Sequence, residues 1–321
     1  MNDFFTTKSG TKIKRTKTVI NDGASVAGII EDLDSQCGAY LSSGVEFPDR
    51  YSRWDFGIVS PPLSFVGVDN RLTITALNQR GRAILAILQP TLSAPADVVT
   101  QTFCKEELVL RISSGEKFFM EEERSLQPSL FTPLRALMQE FLGFSDSHLG
   151  LYGAFGFDLI YQFDEPIKPI DRLHKTTVLH LFFPDQIYIF DRRKEHAFRY
   201  EYDFLSDKHS TIGVKREVNR INKIQNSRAI KSKSIDVDIS DDDYVVMVDT
   251  AREAMRQGEI FEVVLSRSFS ANYDSQPSKL FQAIRSVNPS PYEFFFQFGQ
   301  DQLIGASPEM FVPAFPIATD S

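Results

Sequence analysis

Four short segments of this 321-residue chain combine polar or charged side chains with backbone punctuation tight enough to hold them. The first is Leu41, Ser42, Ser43, Gly44, continuing to Arg53, Trp54 and Asp55. Two hydroxyls at a strand end can hydrogen-bond a polar ligand, and the Arg53 fork can meet a carboxylate. The same residues also suit a capped turn with surface ion pairs. The second, Gly258 to Arg267, reads as a strand directly after a helix, with Glu262 on the face of Ile260 and Val264. A charged carboxylate is costly to bury among apolar neighbours, so Glu262 is either exposed or functional. The third is Asn288, Pro289, Ser290, Pro291, Tyr292. Its two prolines fix φ and remove N–H donors, leaving a stiff loop of carbonyl acceptors. That suits an ammonium group and equally suits a rigid connection. In the fourth, Gly305, Ala306, Ser307, Pro308, Glu309, small residues let the backbone approach a ligand and a proline holds the carboxylate beyond it.

Helices and strands must position these segments. Apolar spacing predicts helices over residues 25–33, 133–141, 244–257 and 281–287, the third preceded by Asp241 to Asp243 and ended by Gly258. β-branched and aromatic runs predict strands over 39–42, 57–68, 71–77, 83–88, 178–183, 186–191, 196–202, 293–298 and 302–304. Pro184 and Asp185 read as a hairpin turn, and the residues up to Ile20 as an extended arm or edge strand. The expected class is α+β: antiparallel sheets with packed helices. Apolar residues thin out and Lys and Arg concentrate between Ser206 and Asp243. Expected boundaries are therefore a first domain over 1–205, a linker with helix over 206–240 and a second domain over 241–321.

Composition narrows the function classes. A 42% hydrophobic and 24% charged chain has enough apolar material to fold. The net charge of -8 argues against a general nucleic-acid binder, whose affinity rests on clustered Lys and Arg. Cys37 and Cys104 form no CxxC pair and the five histidines no HExxH, so neither a disulfide framework nor a zinc site is expected. No apolar run reaches the ~18 residues of a membrane helix or the length of a signal core. A soluble cytoplasmic protein is the expectation, with no membrane partner.

The four segments in this order, with Gly150 to Asp158 (GLYGAFGFD) between them, resemble the large subunit of anthranilate synthase. The combination of NPSPY, GEIFEVV and IGASPE carries the resemblance over roughly residues 20–312, and LSS leading into YSRWD looks most like the bacterial form with synthase and glutaminase fused. The resemblance implies that chorismate loses its ring hydroxyl as ammonia adds to the neighbouring carbon, after which pyruvate leaves and the ring aromatises. It implies Mg2+ as cofactor, with ligands beyond the segments present here, and ammonia from a glutaminase subunit or fused domain. It implies catalytic roles for Glu262 and Glu309 and substrate contacts from Gly305, Ala306 and Ser307. Glu262 stands where related isochorismate synthases carry a water-activating lysine, which favours amination. Tryptophan as feedback inhibitor is implied at Ser43, Arg53, Asn288, Pro289, Ser290, Pro291 and Tyr292, with Ser42 where many non-fused relatives carry glutamate. Two other readings remain: a chorismate aminase making aminodeoxychorismate or a phenazine precursor, and a non-catalytic tryptophan-binding or assembly fragment.

After Glu309 the family's GTRxRG-like segment, acidic metal ligands and glycine-rich loops do not follow, which is the pattern expected of a chain interrupted inside the chorismate-binding domain. Exposed apolar sheet edges, including Phe294 to Phe296, are a second expectation. Chorismate, magnesium and ammonium added to the purified chain should therefore give no anthranilate fluorescence, and measurable turnover would contradict this.

Overall fold

The computed structural model describes residues 2–20, 24–44, 54–113, 120–141, 146, 148–163, 176–221 and 235–308. Its elements are β1 (Asn2–Thr6), β2 (Lys12–Ile20), α1 (Ala24–Asp32), β3 (Gly38–Ser42), β4 (Trp54–Val59), β5 (Leu63–Val68), β6 (Arg71–Ala76), α2 (Gln79–Leu92), β7 (Val98–Phe103), β8 (Glu107–Ile112), α3 (Phe131–Glu140), β9 (Tyr152–Phe155), β10 (Thr177–Phe183), β11 (Gln186–Asp191), β12 (His196–Leu205), β13 (Asp236–Val237), α4 (Asp241–Arg256), β14 (Phe269–Ser270), α5 (Pro277–Val287), β15 (Tyr292–Gln297) and β16 (Gln302–Ser307). They fall into two compact units, residues 1–222 with 277–321 and residues 223–276.

The first unit holds an eight-stranded sheet, ordered β1-β2-β12-β11-β4-β3-β15-β16, and a six-stranded sheet, ordered β7-β8-β6-β5-β10-β9. Neighbouring strands are antiparallel, as an α+β chain requires. Strand periodicity decides which residues meet. Along β11, Ile187 and Ile189 enter a core shared with α2, α3 and the six-stranded sheet. Phe190, pointing the other way, packs with Ile29 and Ile30 of α1 and Phe281 of α5. The large sheet is thus buried on both faces, which explains the near-continuous apolar run of β15.

Several sequence expectations are corrected. Residues 83–88 belong to α2 and not to a strand. Asn78 caps this helix by accepting the Gly81 N–H at 2.9 Å, and Ile84, Leu85, Leu88 and Leu92 fall on its buried face. Pro184 and Asp185 do not close a hairpin, because β10 lies in the six-stranded sheet and β11 in the eight-stranded one. Residues 57–68 cross between sheets in the same way, at Ser60 to Pro62, where Ser60 adopts φ 51°. β2 is an interior strand paired with β1 and β12, and within the N-terminal segment the edge is β1. Phe295 and Phe296 are 0% and 5% exposed, since β15 runs between β3 and β16.

In the second unit, α4 begins at Ser240, whose Oγ accepts the Asp243 N–H at 3.1 Å, and Asp241 to Asp243 complement the helix dipole in its first turn. Gly258 follows the helix with φ 77°, the left-handed conformation that glycine adopts at such ends. The expected strand over Gly258 to Arg267 is absent. A strand needs a partner ladder for its backbone groups. Among the described residues of this unit only the two-residue β13–β14 pairing exists.

Two contacts join the layers of the first unit. Arg80, 1% exposed in the first turn of α2, pairs with Asp185 and with Asp203 at 2.9 Å. It also donates to the carbonyls of Tyr202, Thr211 and Val214 at 2.8–2.9 Å. His180 of β10 bonds Ser64 Oγ at 2.9 Å and stacks on Phe298 of the β15–β16 turn, with centroids 4.2 Å apart. Burial pushes the His180 pKa down to about 4, with Asp301 opposing the shift.

Replacing Arg80→Met leaves buried Asp185 with only the longer contact to Arg216 at 3.4 Å and should cost about 3 kcal/mol in urea unfolding; a loss below about 1 kcal/mol would mean the Arg80 guanidinium is not what holds the crossing. His180 sets a pH dependence. Its folded pKa is depressed, so the unfolded chain takes up the proton first. Its contribution is complete above about pH 6.5 and declines as pH falls towards about 4. His180→Gln should flatten the melting-temperature profile across that window, and an unchanged slope would assign the dependence to other groups.

Candidate functional site

The strand end Ser42, Ser43, Gly44 and the loop Asn288 to Tyr292 meet because β3 and β15 pair in the register Ser42↔Glu293 and Leu41↔Phe294. Past the last paired residue, the Gly44 N–H donates to the Ser290 carbonyl at 2.8 Å. Gly44 tolerates no side chain, since a Cβ there would collide with the Glu293 carboxylate. The loop starts where α5 ends, with the Asn288 N–H donating to the Ile284 carbonyl at 2.8 Å and Ser290 Oγ to the Asn288 carbonyl at 3.1 Å. Pro289 and Pro291 stiffen what lies between. Ser290 is buried, whereas Asn288, Pro289 and Tyr292 face solvent.

Two ion pairs hold the lips of this seam. Glu293, 2% exposed, accepts from Arg285 Nε at 2.6 Å and from Ser42 Oγ at 2.9 Å. Arg285 comes from the last turn of α5, where a cation complements the helix dipole, and its guanidinium also lies over the Phe281 ring. On the other lip, Arg192 grips Asp55 through Nε at 3.0 Å and Nη2 at 2.9 Å and donates through Nη1 to the Ser43 carbonyl at 2.7 Å. The Tyr40 hydroxyl completes the group by donating to Asp55 at 2.9 Å. Burial pushes the Asp55 carboxyl up, and Arg192 and Tyr40 oppose that push. The charges cancel within each pair. The Ser43, Asn288 and Ser290 carbonyls each already accept an internal donor, so the seam presents to solvent the Asn288–Pro289 tip and the Tyr292 ring.

The structure thus brings together Ser43, Asn288, Pro289, Ser290, Pro291 and Tyr292. Arg53 and Glu309 lie outside the described residues. Gly305, Ala306 and Ser307 sit one strand away on β16, opposite Phe294, Glu293 and Tyr292. A Cβ at Gly305 would enter the Phe294 ring. Glu262 lies exposed in the coil of the second unit. Among the described residues no group of three or more His, Cys, Asp or Glu side chains is placed to hold a metal ion, and no helix is long and apolar enough to cross a membrane. No step through magnesium is therefore derived from these residues.

Sequence reasoning named Asp55 in the first segment without a partner for it and passed over Glu293, Arg285, Arg192 and Tyr40. A signal existed in β15, where Glu293 and Gln297 share a face with Phe295 between them. Polar residues alternating into an aromatic face mark buried, partnered groups. Their partners, however, come from α5, β4 and the turn after β11, and no local spacing reveals them.

Comparison with known proteins gives a consistent kinship. A profile described as chorismate binding enzyme matches residues 92–314. Anthranilate synthase from Azospirillum brasilense is 32% identical over 96% of this chain and 42% of its own length. Anthranilate synthase component 1 from Serratia marcescens is 26% identical over 91% of this chain and 58% of its own. The solved anthranilate synthase component I from Streptococcus pneumoniae TIGR4 aligns at 18% identity and a TM-score of 0.42, covering 83% of this chain and 52% of that one. The chain spans about half the length of the curated relatives it matches. With the profile covering well over half of its residues, the chain belongs to the chorismate binding enzyme family.

Proposed function

We propose that this chain serves an anthranilate synthase, carrying its tryptophan-sensing part and the first portion of the part that handles chorismate. The reaction converts chorismate and ammonia into anthranilate, pyruvate and water, with ammonia drawn from glutamine by a glutaminase subunit or domain. Magnesium, when bound, would stabilise negative charge on the ring carboxylate. The setting is cytoplasmic amino-acid biosynthesis. The seam between Ser43 and Asn288 to Tyr292 is read as the feedback site, and Gly305, Ala306 and Ser307, one ladder away, as part of the substrate side. Glu262 and Glu309 are proposed for the chemistry.

What carries the reading is the seam itself: two motif segments, far apart in sequence, are held lip to lip by buried ion pairs in a chain whose relatives are named anthranilate synthases. Inhibition of this kind requires tryptophan to bind two states of the enzyme unequally.

Titrating tryptophan into the chain should give saturable heat. Pro291→Gly, which frees the loop, should weaken binding about ten-fold. Heat from phenylalanine of equal strength, or none from tryptophan, would remove the feedback reading. Supply of the remaining half of a relative as a second polypeptide tests the synthase reading separately, by anthranilate fluorescence.

A further inference from the structure

The six-stranded sheet carries a second feature, away from the β3–β15 seam. Arg71 on β6 and Arg111 on β8 stand directly opposite each other in the ladder. Like charges placed so are destabilising. Several other arginines of this unit are matched to carboxylates, as Arg15 is to Asp3, Arg192 to Asp55 and Arg285 to Glu293. Among the described residues no carboxylate pairs with Arg71 or Arg111. The chain's net charge of -8 makes an unmatched basic pair more conspicuous.

The pair borders a concavity of about 470 Å³ lined also by Val66, Val68, Asp69, Asn70, Thr73 and Gln101, so two guanidinium groups face one carboxylate there. That volume is in the range of small-molecule sites. Register places Val66, Val68 and Thr73 on the face that carries the two arginines. Gln101 occupies the irregularity of β7 between Thr100 and Thr102, where one residue is left out of the ladder. Bulges of this kind re-aim a side chain. At the rim, Asp69 gives its carbonyl to the Gln162 amide at 2.6 Å, and Asn70 donates to the Ile112 carbonyl at 3.0 Å. Both turn residues are therefore tied to the scaffold.

We propose that Arg71 and Arg111, with Gln101 and Thr73 beside them, form a binding site for a small oxyanion ligand of the phosphate-monoester class, whose apolar body rests on Val66 and Val68. Two guanidinium forks match the several acceptor oxygens of a tetrahedral anion, and the anion removes the repulsion between them.

The test titrates inorganic phosphate and phenyl phosphate into the full chain by calorimetry at constant ionic strength. Both should bind saturably, phenyl phosphate the more tightly because it covers the two valines. Arg71→Gln and Arg111→Gln should each weaken binding roughly ten-fold or more, and Arg71→Lys, which keeps the charge and loses the fork, should fall between. Arg252→Gln, a surface change on α4, should have no effect. Unliganded Arg71→Gln should melt no lower than the parent, because removing one charge relieves the repulsion. The proposal is overturned by absence of saturable binding, by binding that persists in the double variant, or by equal weakening in Arg252→Gln.

Discussion

The pairing of β3 with β15 is the constraint on which the site depends. It joins Ser42 to Glu293 across 251 positions of chain. Closing so long a loop costs entropy, although that cost rises slowly with length. What fixes the pairing is the buried Glu293 carboxylate, which is tolerable only where Arg285 and Ser42 reach it. A slip of one residue would turn Glu293 to the opposite face of the sheet and leave Arg285 without its partner. The register is therefore set by electrostatics as much as by the phenylalanines around it.

The same logic recurs where the chain changes sheet. Between β10 and β11 the link is two residues long, and Asp185 within it is buried against Arg80 of α2. The guanidinium spends its remaining donors on carbonyls and on Asp203, so one side chain fastens a helix, a crossing and β12 together. At the other crossing, Ser60 bonds Gln36 at 2.8 Å through its hydroxyl and accepts the Asn219 N–H at 2.9 Å. Short links between layers expose backbone groups that neither sheet can satisfy, and polar side chains from elsewhere supply the partners.

Much of the fold was legible locally. The 3.6-residue spacing of α1, α3 and α5 and the alternation of β11 and β12 place their buried faces without reference to distant residues, while α4, equally periodic, buries no residue. The α2 segment misled because Ile84, Leu85, Ile87 and Leu88 form a short apolar run, which periodicity alone cannot divide between strand and buried helix. The Asn78 cap was the overlooked signal. Pro184 with Asp185 has turn chemistry in either topology, so only the sheet assignment separates a hairpin from a crossing. At the site, the motif residues were readable as segments, while the ion pairs beneath them were not, because Asp55 and Arg192 meet only after β4 and β11 have paired.

Tyr292 belongs at once to the proline-stiffened loop and to the ladder with β16, where it stands opposite Ser307. A hydrogen-bonded ladder is close to inextensible, and its neighbouring strand lies only about 4.8 Å away. The loop therefore behaves as a lever with a short arm. Whatever displaces the Gly44–Ser290 contact must be absorbed either by the stiff loop or by the Gly305 to Ser307 backbone beside it, and the prolines leave the loop little capacity to yield.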